Sequence, residues 1–224
     1  MRAHTEIKRY YRALERAYGL QHWWPARTRF EVIVGAFLTQ NTAWKNVERA
    51  LRNLRRAKLL NMDGIRHCAL PRLEELVRPA GYFRQKALRL KTFVAFLDAN
   101  HGGSLRRLFA QQTAVLREQL LSLNGIGPET ADVILLYAAQ HPVFVVDAYT
   151  RRILGRHRLM APNAEYDKVR ELFESALGSL EDSKSRQAAV FNQAHALIVR
   201  VGKKHCRKEA SCKGCPLQRF LRDE

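Results

Sequence analysis

The stretch Leu123–Leu154, LNGIGPETADVILLYAAQHPVFVVDAYTRRIL, decides how the rest of the chain is read. It opens on Leu123-Asn124-Gly125-Ile126-Gly127-Pro128, a tight connection whose two glycines are the residues able to take positive φ without strain. Pro128 suits the first position of a new helix, where its missing N–H would be unpaired anyway. Glu129 then falls in the first turn, where a negative charge complements the helix dipole. Ala131, Ile134, Leu135 and Tyr137 follow at roughly helical spacing, and Thr113 to Leu123 is helical in pattern as well. The reading is helix, glycine hairpin, helix, with backbone N–H groups exposed at a helix start, a natural seat for a phosphate. The G-x-G taken alone is also met by an ordinary turn between packed helices.

Downstream, Val143-Phe144-Val145-Val146-Asp147 is an apolar run that ends on a single carboxylate and opens a helix through Ala148, Tyr149 and Thr150. By itself Asp147 reads as a helix N-cap. The composition adds a direction. Lys and Arg number 39 against 21 Asp and Glu, a net charge of +18 with a pI near 10.4. A balance this basic points to a polyanionic partner, because neutralising phosphates releases condensed counterions. With 224 residues and 46% hydrophobic content the chain can bury a substantial core, in one domain or two small ones. No apolar run is long enough to span a bilayer, and Met1 to Tyr11 has no signal-peptide pattern.

From the start, Thr5 to Tyr18 is amphipathic, with Ile7, Tyr10, Tyr11, Leu14 and Ala17 on one side. Gln21-His22-Trp23-Trp24-Pro25 follows, and Phe30 to Thr39 is apolar and long enough for a buried helix. After the polar break Gln40-Asn41-Thr42, Trp44 to Leu54 is helical again. Pro79 to Lys86 marks a turn into a basic helix ending near Asn100, His101-Gly102-Gly103-Ser104 is a break, and Leu105 to Leu123 is helical. Ala161-Pro162-Asn163 is a loop, with helices at Tyr166 to Leu180 and Arg186 to Val201. Nothing alternates strongly enough to be a strand, so the expected class is all-α.

The hairpin L-x-G-I-G, followed at this distance by Asp147 in a V-V-D-A setting, resembles the helix-hairpin-helix DNA glycosylases of the endonuclease III superfamily, over nearly the whole chain. The resemblance implies two helical domains with an active cleft between them. Residues 22–133 would form a six-helix domain holding the hairpin, and 1–21 plus 134–224 a second one with a C-terminal cysteine loop. It also implies Asp147 as the catalytic carboxylate, with Gly125, Gly127 and Thr130 of the hairpin, Gln40 and Tyr82 as DNA contacts. Gln40 would fill the gap left by an everted base and Tyr82 would wedge the opposite strand; either could equally be a plain loop residue. Members that also cut the backbone carry a lysine two residues after the second hairpin glycine, and here that residue is Glu129. A carboxylate cannot form an imine, so the covalent route lacks its nucleophile. Glu129 is either a second catalytic residue or a helix-dipole residue.

Trp-Trp-Pro at Trp23–Pro25, Phe30–Ala36 (FEVIVGA) and Leu38–Val47 (LTQNTAWKNV) look like the branch that includes 3-methyladenine DNA glycosylase III. In that branch Trp23, Trp24 and Trp44 would line a pocket for the flipped base. A ring-alkylated purine is cationic and stacks on electron-rich faces, and a damaged base leaves the duplex at lower cost. The function implied is a monofunctional glycosylase releasing alkylated purines of the 3-methyladenine type. An endonuclease III-like enzyme for oxidised pyrimidines or mismatched thymine, and a non-catalytic binder of damaged DNA, are the rivals. The expected partner is double-stranded DNA carrying damaged bases, for a monomer without an obligate protein partner, located in the cytoplasm on the nucleoid.

Cys206, Cys212 and Cys215 form C-x5-C-x2-C before Pro216, close to the superfamily's iron–sulfur loop. That loop has a fourth cysteine, and Leu221 stands at its place, while Cys68 lies in the other half of the chain. The expectation is a [4Fe-4S] cluster held by Cys206, Cys212 and Cys215. A different fourth ligand such as His205 or Asp223, a three-iron cluster, a zinc site or a loop without metal stay open. Three clustered thiols and a distant fourth do not form a secreted disulfide framework, so a reducing compartment is expected. Lys203, Lys204, Arg207, Lys208 and Lys213 would add phosphate contacts or form a solvated basic face. Because Glu129 replaces the lysine, borohydride reduction with abasic DNA is expected to trap no covalent adduct on a denaturing gel.

Overall fold

The structure is a computed structural model and describes residues 2–21 and 26–221. It is all-α, 69% helical and without a strand among the described residues. Two compact units divide the chain, one of Ala26–Ala139 and one that joins Met1–Pro25 to Gln140–Glu224.

The first helix, α1 (Arg2–Tyr18), belongs to the unit built from the chain ends and buries Ile7, Tyr10, Ala13 and Leu14. The other unit opens with α2 (Arg29–Thr39), whose N-cap Thr28 accepts the Glu31 amide at 3.1 Å. Every residue of α2 from Phe30 to Leu38 is buried, as expected of a helix apolar on all sides. Glu31 is tolerated there because the Arg55 guanidinium reaches its carboxylate at 2.6 Å. There follow α3 (Trp44–Arg56), α4 (Met62–His67), α5 (Leu70–Val77) and a 3-10 turn Arg78–Ala80. The unit continues with α6 (Phe83–His101), α7 (Leu105–Phe109), α8 (Thr113–Leu121) and α9 (Pro128–Val133). Beyond Val133 the hairpin's second helix winds as a π-helix over Ile134–Ala139 and packs on α2. The wider turn lets five consecutive residues, Ile134 to Ala138, be buried. Their 3.6-residue spacing was only approximate for this reason.

One expected helix is two. Leu105 to Leu123 is broken at Ala110–Gln112, where the Ala110 and Gln111 amides fold back onto the Arg106 and Leu108 carbonyls and close α7. Leu108 and Phe109 stay buried at this turn, and α8 begins at Thr113. Across the hairpin, the Arg117 guanidinium of α8 grips the fully buried Asp132 of α9 with two bonds, at 2.8 and 3.3 Å.

The second unit adds α10 (Ala148–Arg156), α11 (Tyr166–Gly178) and α12 (Lys184–Lys204). α1, α10 and α11 all pack against α12, which buries eleven residues between Ala188 and Gly202. Phe144, in the extended stretch ahead of α10, stacks on Phe173 of α11 at 4.1 Å and meets Phe191 of α12 edge-on. No helix among the described residues is long and apolar enough to cross a membrane. Removing one partner of the hairpin's buried ion pair leaves an uncompensated charge, so Asp132→Ala is expected to lower stability by about 3–5 kcal/mol, read from the midpoint of urea unfolding.

Candidate functional site

The approach to Asp147 is an extended segment without strand pairing, and side chains satisfy its amides. The Glu174 carboxylate accepts the Phe144 N–H at 2.9 Å, and the Tyr166 hydroxyl accepts that of Val146 at 3.2 Å. Both partners come from α11, so this helix holds the segment straight up to Asp147. There the chain turns into α10, and Asp147 Oδ1 accepts the Thr150 amide at 2.7 Å and its hydroxyl at 2.8 Å. The N-cap reading of Asp147 is therefore correct. It leaves Oδ2 uninvolved in the cap, 3.6 Å from His195 Nε2 of α12. Burial pushes the carboxyl's pKa up, but the His195 imidazole and the two Thr150 donors outweigh it and hold the group below the ordinary range. Asp147 thus stays ionised at neutral pH, with one oxygen fixed by the helix start.

In the Ala26–Ala139 unit, Gln40 sits at the C-cap of α2 and is bonded to the hairpin. Its Nε2 donates to the Gly125 carbonyl at 2.9 Å and to Thr130 Oγ1 at 3.0 Å, while Oε1 accepts from the Arg89 guanidinium. Gln40, Gly125 and Thr130, singled out separately in the sequence, meet in one network. The two glycines are not equivalent. Gly125 has φ +82°, and a Cβ there would overlap the Arg89 side chain. Gly127 is extended, at φ −93°, and a Cβ would meet nothing within 4 Å. A single left-handed residue suffices because the Ile126 amide already closes the turn on the Leu123 carbonyl at 3.0 Å. Pro128 takes the first helical position and Glu129 is exposed in the first turn of α9.

Tyr82 precedes α6 in the left-handed region, φ +44°, and is 67% exposed, an aromatic ring held out on a strained backbone. Lys86, expected on a basic helix face, is instead buried. Its ammonium donates to the Leu38 carbonyl at 3.0 Å and the Ala80 carbonyl at 2.7 Å, which ties the turn of Gln40 to the turn of Tyr82. Burial, with Arg89 nearby, pulls its pKa down to about 8. Trp44, the first residue of α3, is half-buried and its indole N–H donates to Glu48 at 2.9 Å. Trp23 and Trp24 lie outside the described residues, as does Asp223.

Cys206, Cys212 and Cys215 line one pocket together with His205 and Leu221. His205 Nδ1 lies 3.0 Å from the Ser211 carbonyl and must carry the proton, so the buried Nε2 presents a lone pair, without a partner among the described residues. The pocket thus brings together the three thiols named for the [4Fe-4S] cluster and the His205 imidazole, with a leucine at the place of a fourth thiol. Among the described residues no three His, Cys, Asp or Glu side chains are arranged to hold a metal ion. Burial pushes the Cys215 thiol up. Protein groups also tie the loop down. Arg156 of α10 donates to Cys206 Sγ at 3.1 Å, to the Arg207 carbonyl at 2.7 Å and to the Lys208 carbonyl at 2.6 Å. Lys203, Lys204, Arg207, Lys208 and Lys213 are exposed.

Four residues of these networks escaped the sequence reading. Arg89, Arg117 and Lys86 look like any other basic residues of amphipathic helices, and nothing local distinguishes them. His195 left a faint trace, a lone imidazole within the apolar run of α12, which ordinarily marks a satisfied core histidine.

Residues 34–178 match the family model of HhH-GPD superfamily base excision DNA repair proteins. A candidate DNA repair glycosylase of Methanocaldococcus jannaschii is 46% identical, over 96% of this chain and 94% of its own length. Endonuclease III of Sulfolobus acidocaldarius is 26% identical over 88% of this chain and 82% of its own. Among solved structures, the H. pylori 3-methyladenine DNA glycosylase bound to 1,N6-ethenoadenine superposes with a TM-score of 0.77 at 30% identity, covering 90% of this chain and 97% of that one. A trapped endonuclease III–DNA covalent intermediate gives a TM-score of 0.80 at 20% identity, covering 98% and 95%, a likeness of fold alone.

The all-α fold and these relatives define a DNA N-glycosylase of the endonuclease III type. The chain belongs to the HhH-GPD superfamily of base excision DNA repair proteins.

The asymmetry of the hairpin glycines gives a paired test. Gly125→Ala adds both backbone strain and a clash with Arg89, and is expected to lose about 1–3 kcal/mol. Gly127→Ala is expected to stay within roughly 0.5 kcal/mol of the parent, both read by urea unfolding.

Proposed function

We propose that this glycosylase is monofunctional and releases alkylated purines of the 3-methyladenine type from double-stranded DNA by hydrolysis. The observation that carries the reading is Asp147: an ionised carboxylate with one oxygen fixed by the start of α10 and the other outside the cap. The substrate class is supported by the likeness to the H. pylori enzyme, whose structure holds 1,N6-ethenoadenine, and by Glu129 at the place of the lyase lysine.

In this reading the target nucleotide leaves the stack, at a lower penalty for a damaged base. Its purine, cationic through alkylation, departs from C1′ with the bonding electron pair and becomes neutral, so little acid assistance is needed. The sugar acquires oxocarbenium character, which the Asp147 carboxylate opposes electrostatically. A water oxygen bonds to C1′ on the vacated side and its proton passes to Asp147 Oδ2. Trp23, Trp24 and Trp44 supply ring faces for the cationic base. Gln40 fills the gap in the duplex and Tyr82 wedges the opposite strand, with Lys86 setting the distance between their turns. The hairpin amides at Gly125 to Gly127 hold a phosphate, and the open space over Gly127 admits its close approach. The net charge of +18 supplies the salt-dependent part of binding. Glu129, exposed beside the hairpin, shapes the pocket or shares the work of Asp147. No step is assigned to an iron–sulfur cluster.

Asparagine caps a helix as well as aspartate does, so Asp147→Asn removes the charge and keeps the fold. Base release from methylated DNA, followed by mass spectrometry, is expected to fall by about 10²–10³-fold in this variant. The parent is expected to release 3-methyladenine and to leave thymine glycol in place. Release of thymine glycol with none of methylated bases would overturn the substrate class, and an unimpaired Asp147→Asn would overturn the role of the carboxylate.

A further inference from the structure

We infer that His195 is a positioning residue for base release: from the middle of α12 its imidazole faces Asp147 Oδ2 and fixes the direction in which that oxygen acts. The inference rests on Asp147 being the reactive carboxylate.

Three observations carry it. First, His195 is 5% exposed, with its ring against the buried Phe144. A polar ring placed in such surroundings is unfavourable unless polar groups face it. What faces Nε2 from the neighbouring helix start is the second oxygen of Asp147, at 3.6 Å. Second, the ring cannot turn away freely. It stands edge-on to Phe144, at 6.3 Å and 83°, and Phe144 is itself locked by its stack on Phe173 at 4.1 Å. Third, the separation is specific in its effect. At 3.6 Å Nε2 makes at most a long hydrogen bond to the oxygen, and a proton on Nε2 favours negative charge there. A tighter contact would compete with the attacking water. A looser one would leave a buried carboxylate opposed only by the Thr150 donors.

Thr150 and His195 therefore divide the carboxylate between them. Thr150, from the same helix, holds Oδ1, and His195, from α12, governs Oδ2. Both groups favour the ionised carboxyl against the effect of burial, and the histidine is the one that faces Oδ2. Its loss is expected to reveal the opposing effect of burial and move the acid side of the rate profile to higher pH.

The test uses the full chain and single-turnover release of 3-methyladenine from a methylated duplex between pH 3.5 and 9. Affinity for a duplex carrying a tetrahydrofuran abasic-site analogue is measured alongside. His195→Phe is expected to slow release about tenfold at pH 7 and shift the acid limb upward by roughly one pH unit, with affinity for the analogue unchanged. His195→Gln keeps an N–H donor of similar reach, so it is expected to recover most of the rate and to safeguard the test should the phenylalanine variant not fold. A parent-like rate and profile in His195→Phe would overturn the inference. If only His195→Gln folds, a rate or profile at least as impaired as that of Asp147→Asn would overturn it too, since a positioning donor would then have rescued nothing. Asp147→Asn separates the two claims. If it is inactive while His195→Phe matches the parent, the glycosylase mechanism stands and the histidine's role fails. If Asp147→Asn is fully active, the mechanism itself fails.

Discussion

The unit built from the chain ends hangs on how one carboxylate is shared. Asp147 Oδ1 closes the start of α10 through two bonds to Thr150, an arrangement that contributes about 1 kcal/mol to the helix. The same bonds fix the side chain's torsions and so aim Oδ2. An aspartate in a mobile loop would have no such orientation, and would lose rotamer freedom each time it acted. The extended stretch before it is held with equal economy, since Glu174 and Tyr166 of α11 take amides that would otherwise need a neighbouring strand. Helix stability and the orientation of Oδ2 thus draw on the same few bonds, and a change that loosens the helix start also misdirects that oxygen.

The other unit is organised by the first turns of α6. Tyr82 precedes this helix, Lys86 reaches back to the Leu38 and Ala80 carbonyls, and Arg89 reaches Gln40 while lying over Gly125. Gln40, Tyr82 and the hairpin therefore share one rigid support, stiffened beneath by the Arg117–Asp132 pair between α8 and α9. A buried ammonium with carbonyl partners is an expensive way to join two turns. Its geometry has a compensation: three donors on one nitrogen can hold two carbonyls at a set spacing, which no apolar side chain could do.

The C-terminal loop keeps the cysteine spacing of the superfamily's cluster loop with one thiol fewer. C-x5-C-x2-C survives, but Leu221 stands where a fourth thiol would complete the set, and Arg156 fastens the loop through two carbonyls and a sulfur. A guanidinium has several fixed N–H donors and is suited to that task. The spacing of the cysteines reported the ancestry of the loop. The fastening could be seen only once α10 and the loop were in contact.

The sequence by itself determined the all-α class, most helices, the hairpin with Pro128 at a helix start, and Asp147 as a cap opening a helix. These follow from forces acting within a few residues: positive φ at glycine, the missing N–H of proline, capping, and the periodicity of apolar side chains. It overran where periodicity continued through a real break, at Ala110–Gln112, and it treated Gly125 and Gly127 alike although only one is left-handed. Tertiary structure decided what no local signal could carry. His195 lies 48 residues from the carboxylate it faces, Arg89 lies 49 from Gln40, and Lys86 lies 48 from the carbonyl of Leu38. Side chains so far apart in the chain carry no mark of one another, because a buried polar group finds its partner only when packing brings their helices together.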